Sequence, residues 1–296
     1  MSGLNQCLIQ SEHKSVIQPG EIHAKAGKEG VRDTQIEKDY VISWVILAIA
    51  NNPFLKERLV FKGGTVLKKV YFPNYRFSED LDFTFRPAGR SPGELGENDL
   101  NILAVKTAFH ELIEWVYQES RISLSIRNEI HHETGNYSFY IAYTGPLGGL
   151  GANKDIKTDI SRDELIYYAP EEKQIIKSYS DLEAADSIFC YSLGEVIAEK
   201  MRSLMQRTMP RDIFDLWYLF EKENQAIEDH IYAFQGKAIY KGYDPGELIK
   251  MVQVKEKIFA RHWNGHLANQ IKSIPDFSEV WRELGKHWRK YQKFIE

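Results

Sequence analysis

The chain has 296 residues and a formal net charge of −4, long enough for one large or two modest domains, and too acidic overall to coat nucleic acid through a general basic surface. Hydrophobic residues make up 43% and aromatics 12%, a content that builds a packed core and excludes a disordered chain. The longest apolar run, residues 41–50, is too short to span a bilayer, and the first residues hold no apolar signal core, so a cytoplasmic protein with no membrane contact is expected.

Residues 1–35 are polar with no sustained period and read as an arm, in which Cys7, like Cys190 further on, is a lone thiol. From Glu37 to Asn51 an apolar-rich stretch reads as a buried helix stopped by Asn51-Asn52-Pro53. Leu59–Lys62 is a short strand running into a Gly63-Gly64 turn, Val66–Tyr71 opens a helix, and Arg76–Phe85 reads as a strand. Alternation along that strand places Asp80 and Asp82 on one face and Leu81, Phe83 and Phe85 on the other. Two carboxylates this close repel unless a cation lies between them. A hard divalent ion, Mg2+ or Mn2+, is held by one or two carboxylates plus substrate phosphates, so the pattern points to metal-dependent nucleotidyl transfer from an NTP. Gly63, Gly64 and Thr65, between a strand and a helix, offer backbone N–H groups to a phosphate. Ser78 and Arg76 flank the acid pair as candidate phosphate donors, with pairing to a neighbouring acid as the alternative for Arg76.

Arg86–Glu97 reads as a loop, Leu100–Tyr117 as a helix, and Arg121–Arg127, Tyr137–Thr144 and Asp155–Ile160 as strands, for a sheet of four or five strands. The glycine-rich run 145–154 joins two strands without opening a helix and reads as a hairpin connection. His131-His132-Glu133 reads as a loop, since adjacent strand residues face opposite ways and no zinc-ligand spacing is present. In the run 154–161 Lys157 shares a face with Asp159, a third carboxylate suited to a second metal position or to taking the proton of the attacking hydroxyl.

Every sustained pattern from Tyr191 onward is helical. On the helix after Ser192, Leu193, Ile197, Met201 and Leu204 form an apolar stripe and Glu195, Glu199, Arg202 and Gln206 an opposite, solvated face. Lys200 stands at the border beside Ser203 and Arg207, where its charge needs an anion: a triphosphate, or a structural salt bridge. Pro210 starts the next helix, with Arg211 and Asp212 in its first turn and Asp215 one turn on. Asp212 suits the helix dipole there whatever the function. The closing segment 281–296 is basic, with Lys286, Arg289 and Lys290 among aromatics. It reads as an amphipathic helix or as a local contact for an RNA backbone.

Residues 61–85 resemble the core of the AbiEii-type, MenT-like nucleotidyltransferases, the toxin halves of type IV toxin–antitoxin systems. In that family a Gly-Gly-Ser/Thr turn precedes an Arg-x-Ser-x-Asp-x-Asp-Phe strand, matched here by Gly63, Gly64, Thr65 and then Arg76, Ser78, Asp80, Asp82 and Phe83. Thr65 stands where Ser is usual, and the spacing to the acid pair exceeds that of the shorter Gly-Ser signature. The family's Glu-x-x-x-x-Lys helix and Arg-Asp-x-x-Asp-Leu segment are matched by Glu195 and Lys200, then Arg211, Asp212, Asp215 and Leu216.

The resemblance implies a bilobal α+β fold, with an arm (1–35), a nucleotidyltransferase-like mixed-sheet domain (36–185) and a helical C-terminal domain (186–296). It implies metal ligands Asp80, Asp82 and Asp159, and nucleotide contacts from Gly63, Gly64, Thr65, Arg76, Ser78, Lys200, Arg211 and Asp212. Lys200 and Asp215 complete the catalytic set. It further implies a growth-inhibiting toxin, of a toxin–antitoxin or phage-defence system, whose acceptor is the 3′ end of tRNA and whose partner is a cognate antitoxin. The alternatives are a nucleotidyltransferase acting on protein side chains, and a non-catalytic regulatory module of the same fold. Retention of Asp80, Asp82 and Lys200 argues against the latter.

Overall fold

Where the sequence suggests an arm, the computed structural model has a helix, α1 (Pro19–Glu29), opened by a proline at its first position and closed by Gly30 in the left-handed region at φ 65°. Only Ile22 and Ala26 of α1 are buried, too few to leave a visible period. The residues described are 16–86, 102–132, 135–149, 154–182 and 186–295. Cys7, Glu133, most of the 86–97 loop, the start of the helix expected at Leu100 and the end of the glycine-rich run fall outside them. No helix among the described residues is long and apolar enough to cross a membrane.

α1 packs on α2 (Asp33–Asn51), whose second half is apolar on nearly every face and correspondingly enclosed: Tyr40, Val41, Ile42, Val45, Ile46 and Ile49 are fully buried. Asn52 ends α2 and caps α3 (Pro53–Arg58), its side-chain oxygen accepting from the Leu55 N–H at 3.0 Å. The chain then enters β1 (Leu59–Lys62), turns through α4 (Gly63–Val66) and a wider helical turn at Leu67–Tyr71, and returns as β2 (Leu81–Phe85). Residues 76–80 are irregular, so Asp80 precedes the strand it was expected to sit in. α5 (Ile102–Ser120) packs on α2 and on β3 (Ser123–His131), which is followed by β4 (Tyr137–Thr144) and β5 (Asp155–Ser161).

Two four-residue strands complete the sheet: β6 (Glu171–Gln174) and β7 (Ser187–Cys190). The order is β3-β4-β5-β2-β1-β7-β6, seven strands among the described residues where four or five were expected. β2 runs parallel to β5 and β1 to β7, while the other neighbours are antiparallel. The sheet is therefore mixed, in an α+β architecture, and its strand β7 ends at Cys190, just before the helical patterns expected from Tyr191 and inside the segment 186–296 assigned to the helical domain. β4 and β5 pair antiparallel across the glycine-rich connection, as a hairpin requires. Strand alternation holds in β5, where Ile156, Thr158 and Ile160 are buried while Lys157 and Asp159 remain half-buried on the opposite face.

The rest of the chain is α6 (Leu193–Gln206), α7 (Pro210–Trp217), α8 (Ile231–Tyr240), α9 (Leu248–Gln253), α10 (Glu256–Leu267) and α11 (Phe277–Ile295). Ser192 caps α6, its hydroxyl accepting from the Glu195 N–H at 3.2 Å. The face of α6 expected to meet water is largely covered. Glu195 is fully buried, accepting from Lys237 of α8 at 2.5 Å and from the backbone N–H groups of Tyr167 and Tyr168 at 3.0 and 2.9 Å. Arg202 is buried as well, paired with Glu199, and of the four residues only Gln206 is exposed. α11 has the amphipathic form expected, with Val280, Leu284, Trp288 and Tyr291 buried; of its aromatics Trp288 and Tyr291 are thus committed to the core.

The turn that follows β1 is anchored to α2 by a buried cation. Lys69 has no exposed surface, and its ammonium reaches the Asp39 carboxylate at 2.7 Å, the Asp39 carbonyl at 2.9 Å and the Ser43 hydroxyl at 2.8 Å. Burial lowers the Lys69 pKa to about 8 in spite of Asp39. Removing one partner of such a pair strands the other in a poorly solvating interior. Lys69→Ala is therefore expected to lower stability by about 3–5 kcal/mol in urea unfolding, and a loss below about 1 kcal/mol would remove Lys69 as the anchor of this turn.

Candidate active site

Register sets out a row of four polar side chains across neighbouring strands. Lys62 of β1 is opposite Asp82 of β2, Asp82 is beside Asp159 of β5, and Asp159 is opposite Ser138 of β4. The acids press against the turn after β1. Gly63 has φ 78°, and a Cβ added there would stand 2.3 Å from Asp82 Oδ2; one added at Gly64 would stand 2.7 Å from Arg76 Nη2. Both positions thus demand glycine on steric grounds, and Gly63 on conformational grounds as well. Thr65 is buried and its hydroxyl donates to the Asp80 carbonyl at 2.5 Å, so its side chain orients the acid pair instead of pointing at a phosphate.

Two adjoining cavities open over this row. The smaller, about 140 Å³, is lined by Gly63, Gly64, Ser78, Asp80, Arg211 and Asp212, among others. The larger, about 340 Å³, extends over Lys62, Ser138, Glu199, Arg202 and Gln206. Asp82, Lys157, Asp159, Lys200 and Arg207 line both. Of the residues singled out from sequence, all but Thr65 and Asp215 therefore line this cleft. Lys62, Lys157 and Arg207 were not among them. Their signal was present in part, since Lys157 shares the Asp159 face and Arg207 lies next to Lys200 on the helical projection.

Asp215 takes a different place from the one expected. It is fully buried, accepts from Tyr75 Oη at 2.6 Å and from Arg76 Nε and Nη2 at 2.7 Å each, and meets Lys200 Nζ at 2.8 Å. Burial works the other way, but Arg76 and Lys200 hold its carboxyl below the usual carboxylate range. Arg76 spends its remaining nitrogen on the Phe77 carbonyl and the Gln270 side chain, at 3.1 and 2.8 Å, so its fork is committed to structure although it touches the cleft. Asp212 is the acid that reaches the cleft, receiving Lys200 at 2.7 Å and Arg207 at 2.9 Å. Lys200 is thus both a salt-bridged cation and a lining residue. Arg211, half-buried, lines the smaller cavity near Asp80.

The Asp80 and Asp82 carboxylates are short of compensation. Burial, chiefly, raises Asp82 to about 6; Lys62 opposes the shift, while Asp80 and Asp159 add to it. Asp80 is raised too, by burial and by Glu79, with Arg211 and Lys157 opposing. Among the described residues no group of three His, Cys, Asp or Glu side chains is gathered as a self-sufficient metal cage. Asp159 instead meets Lys157 Nζ at 2.5 Å, which counts against it as a third ligand. The pair Asp80 and Asp82, uncompensated oxygen donors beside a cavity, fits a Mg2+ or Mn2+ ion that completes its shell with substrate phosphates and water.

A family model described as "Nucleotidyl transferase AbiEii toxin, Type IV TA system" matches residues 45–289. No curated protein matches the chain. Among solved structures, the MenT4 nucleotidyltransferase toxin of Mycobacterium tuberculosis H37Rv is similar with a TM-score of 0.62 at 16% identity, over 94% of this chain and 89% of that one. JHP933 from Helicobacter pylori is similar with a TM-score of 0.55 at 17% identity, over 90% of this chain and 94% of that one. At such identities the likeness is one of fold.

Because its folded-state pKa is raised, Asp82 costs the folded protein stability when ionised. That cost is absent at pH 4, near the unfolded value, grows as pH rises, and is complete above the folded pKa of about 6. In EDTA, Asp82→Asn is therefore expected to stabilise the protein by about 1–3 kcal/mol at pH 8 and to have little effect at pH 4. Urea unfolding at both pH values checks this, and a variant less stable than wild type at pH 8 would contradict an uncompensated Asp82.

Proposed function

We propose that this chain, which belongs to the AbiEii family of type IV nucleotidyltransferase toxins, transfers a nucleoside monophosphate from an NTP to the 3′-terminal hydroxyl of a tRNA. The family makes it a nucleotidyltransferase with an NTP as substrate and an antitoxin as partner. The observation that carries the finer reading is the convergence of Asp80, Asp82 and Asp159 on the Gly63-Gly64 turn, in a cleft whose other walls carry Lys200, Arg207 and Arg211.

In this reading Asp80 and Asp82 hold a divalent cation, which when bound neutralises triphosphate charge. The N–H groups of Gly63 and Gly64, with Lys200 and Arg211, orient the β- and γ-phosphates. The acceptor oxygen bonds to the α-phosphorus as the bond to the β-phosphate oxygen breaks, and pyrophosphate leaves. Asp159, one strand from Asp82, receives the hydroxyl proton. Asp212 holds Lys200 and Arg207 at the cleft, and Asp215 fixes Lys200 from behind. An RNA acceptor suits a cleft walled by cations in an otherwise acidic protein, since backbone phosphates are held by local charge. Action as a cytoplasmic toxin, in a toxin–antitoxin or phage-defence setting, is part of the same reading.

Incubation with each labelled NTP, Mg2+ and total tRNA tests this. Label is expected at the RNA 3′ end, with loss of at least about 10³-fold in Asp80→Asn, in Asp82→Asn and in EDTA. Label on protein instead of RNA would move the acceptor to a side chain, and full activity in either variant would overturn the role of the acid pair.

A further inference from the structure

Among the described residues of the cleft, Lys157 is the cation ion-paired with the acid cluster itself, whereas Arg211 stands near Asp80 without an ion pair to it. Lys62 reaches Ser161 and Glu164, Lys200 is held by Asp212 and Asp215, and Arg207 by Asp212. Lys157 is turned to the catalytic acids themselves. Its ammonium lies 2.5 Å from Asp159 Oδ2, it lines both cavities together with Asp82, and its positive charge is favoured by Asp159, Asp80 and Asp82 in turn. The pairing is local, between residues two apart on one face of β5, and the side chain keeps 43% of its surface exposed. Displacing it needs only rotation about side-chain bonds, with no change in the sheet.

We propose that Lys157 is an internal counter-cation, which occupies the carboxylate cluster when no divalent ion is there, sets the cluster's affinity for that ion by competing with it, and masks Asp159 until displaced. The inference rests on the assignment of Asp80 and Asp82 as the ion's ligands. Three carboxylates with Lys157 among them carry a net charge of about −2; without Lys157 they carry about −3, and a doubly charged ion gains correspondingly from the stronger field. Lys157 is a positioning residue by this account, since it acts on the ion and on Asp159 instead of on the reacting atoms.

The test is Mn2+ binding by calorimetry, in the full chain without NTP, for wild type, Lys157→Met and Lys157→Arg. Lys157→Met removes the charge and keeps the apolar stem. It is expected to bind Mn2+ about tenfold more tightly than wild type, whereas Lys157→Arg, which restores the charge, is expected to bind within about threefold of wild type. Circular dichroism and thermal melting establish that each variant is folded, and the half-exposed position of Lys157 on its strand makes both substitutions tolerable. Binding by wild type with unchanged or weaker affinity in Lys157→Met overturns the counter-cation. Equal tightening in Lys157→Arg overturns it too, because shape and not charge would then be responsible. Absence of Mn2+ binding in wild type and in Lys157→Met alike overturns the metal assignment of Asp80 and Asp82 and, with it, this inference.

Discussion

The Asp215 carboxylate ties the irregular segment before β2 to the two helices that wall the cleft. Tyr75 and Arg76 come from the first, Lys200 from α6, and Asp215 itself from α7. Burying such a group is costly, and the cost is offset here by three hydrogen bonds from Tyr75 and Arg76 and by the ion pair with Lys200. Ridding the site of one donor would leave unpaired charge in the interior, so the arrangement holds as a unit. Its geometric product is the position of Lys200, clamped between Asp215 and Asp212 with its ammonium at the cleft surface.

The opposite wall is built by a different rule. Lys62, Asp82, Asp159 and Ser138 owe their alignment to strand pairing, which brings residues from four separate stretches of chain side by side without any direct attraction among the acids. The acids repel, and the fold tolerates this because hydrogen bonding along the backbone and the apolar reverse face, with Leu81, Phe83, Ile156 and Ile160 buried, outweigh it. One wall is thus tied together by compensated charge, while on the other Asp159 is paired with Lys157 and the charge of Asp82 is poorly compensated. A polyanion carrying its own divalent ion is complementary to both.

Much of this was legible in the chain. Period-two alternation marked the faces of β2 and β5, and the Gly-Gly pair marked the turn that leaves β1. Where the reading of burial failed, the cause is that what covers a residue comes from elsewhere in the sequence. The polar face of α6 looks solvated until Lys237 of α8 and the backbone of Tyr167 and Tyr168 arrive on it. Asp212 and Asp215 are equivalent by composition and both buried, and the approach of Arg76 to Asp215 separates the acid held behind the cleft from the one that lines it. β6 and β7 are four residues each, and β6 is wholly polar, Glu171-Glu172-Lys173-Gln174, so neither shows a pattern long enough to read. Asp80 was placed in a strand because alternation continues past the point where pairing stops.

β2 lies in the interior of the sheet, paired on both sides over its length. A residue gained or lost inside it would exchange its two faces, sending Asp82 into the apolar layer and Phe83 into the cleft. This chain can therefore gain or lose residues without that exchange only outside the strand, as in the wide helical turn at Leu67–Tyr71 and the irregular residues that follow it. The distance from the glycine turn to the acid pair is set by how much chain is stored before β2, while the spacing of Asp82 to Phe85 is fixed by the geometry of the strand.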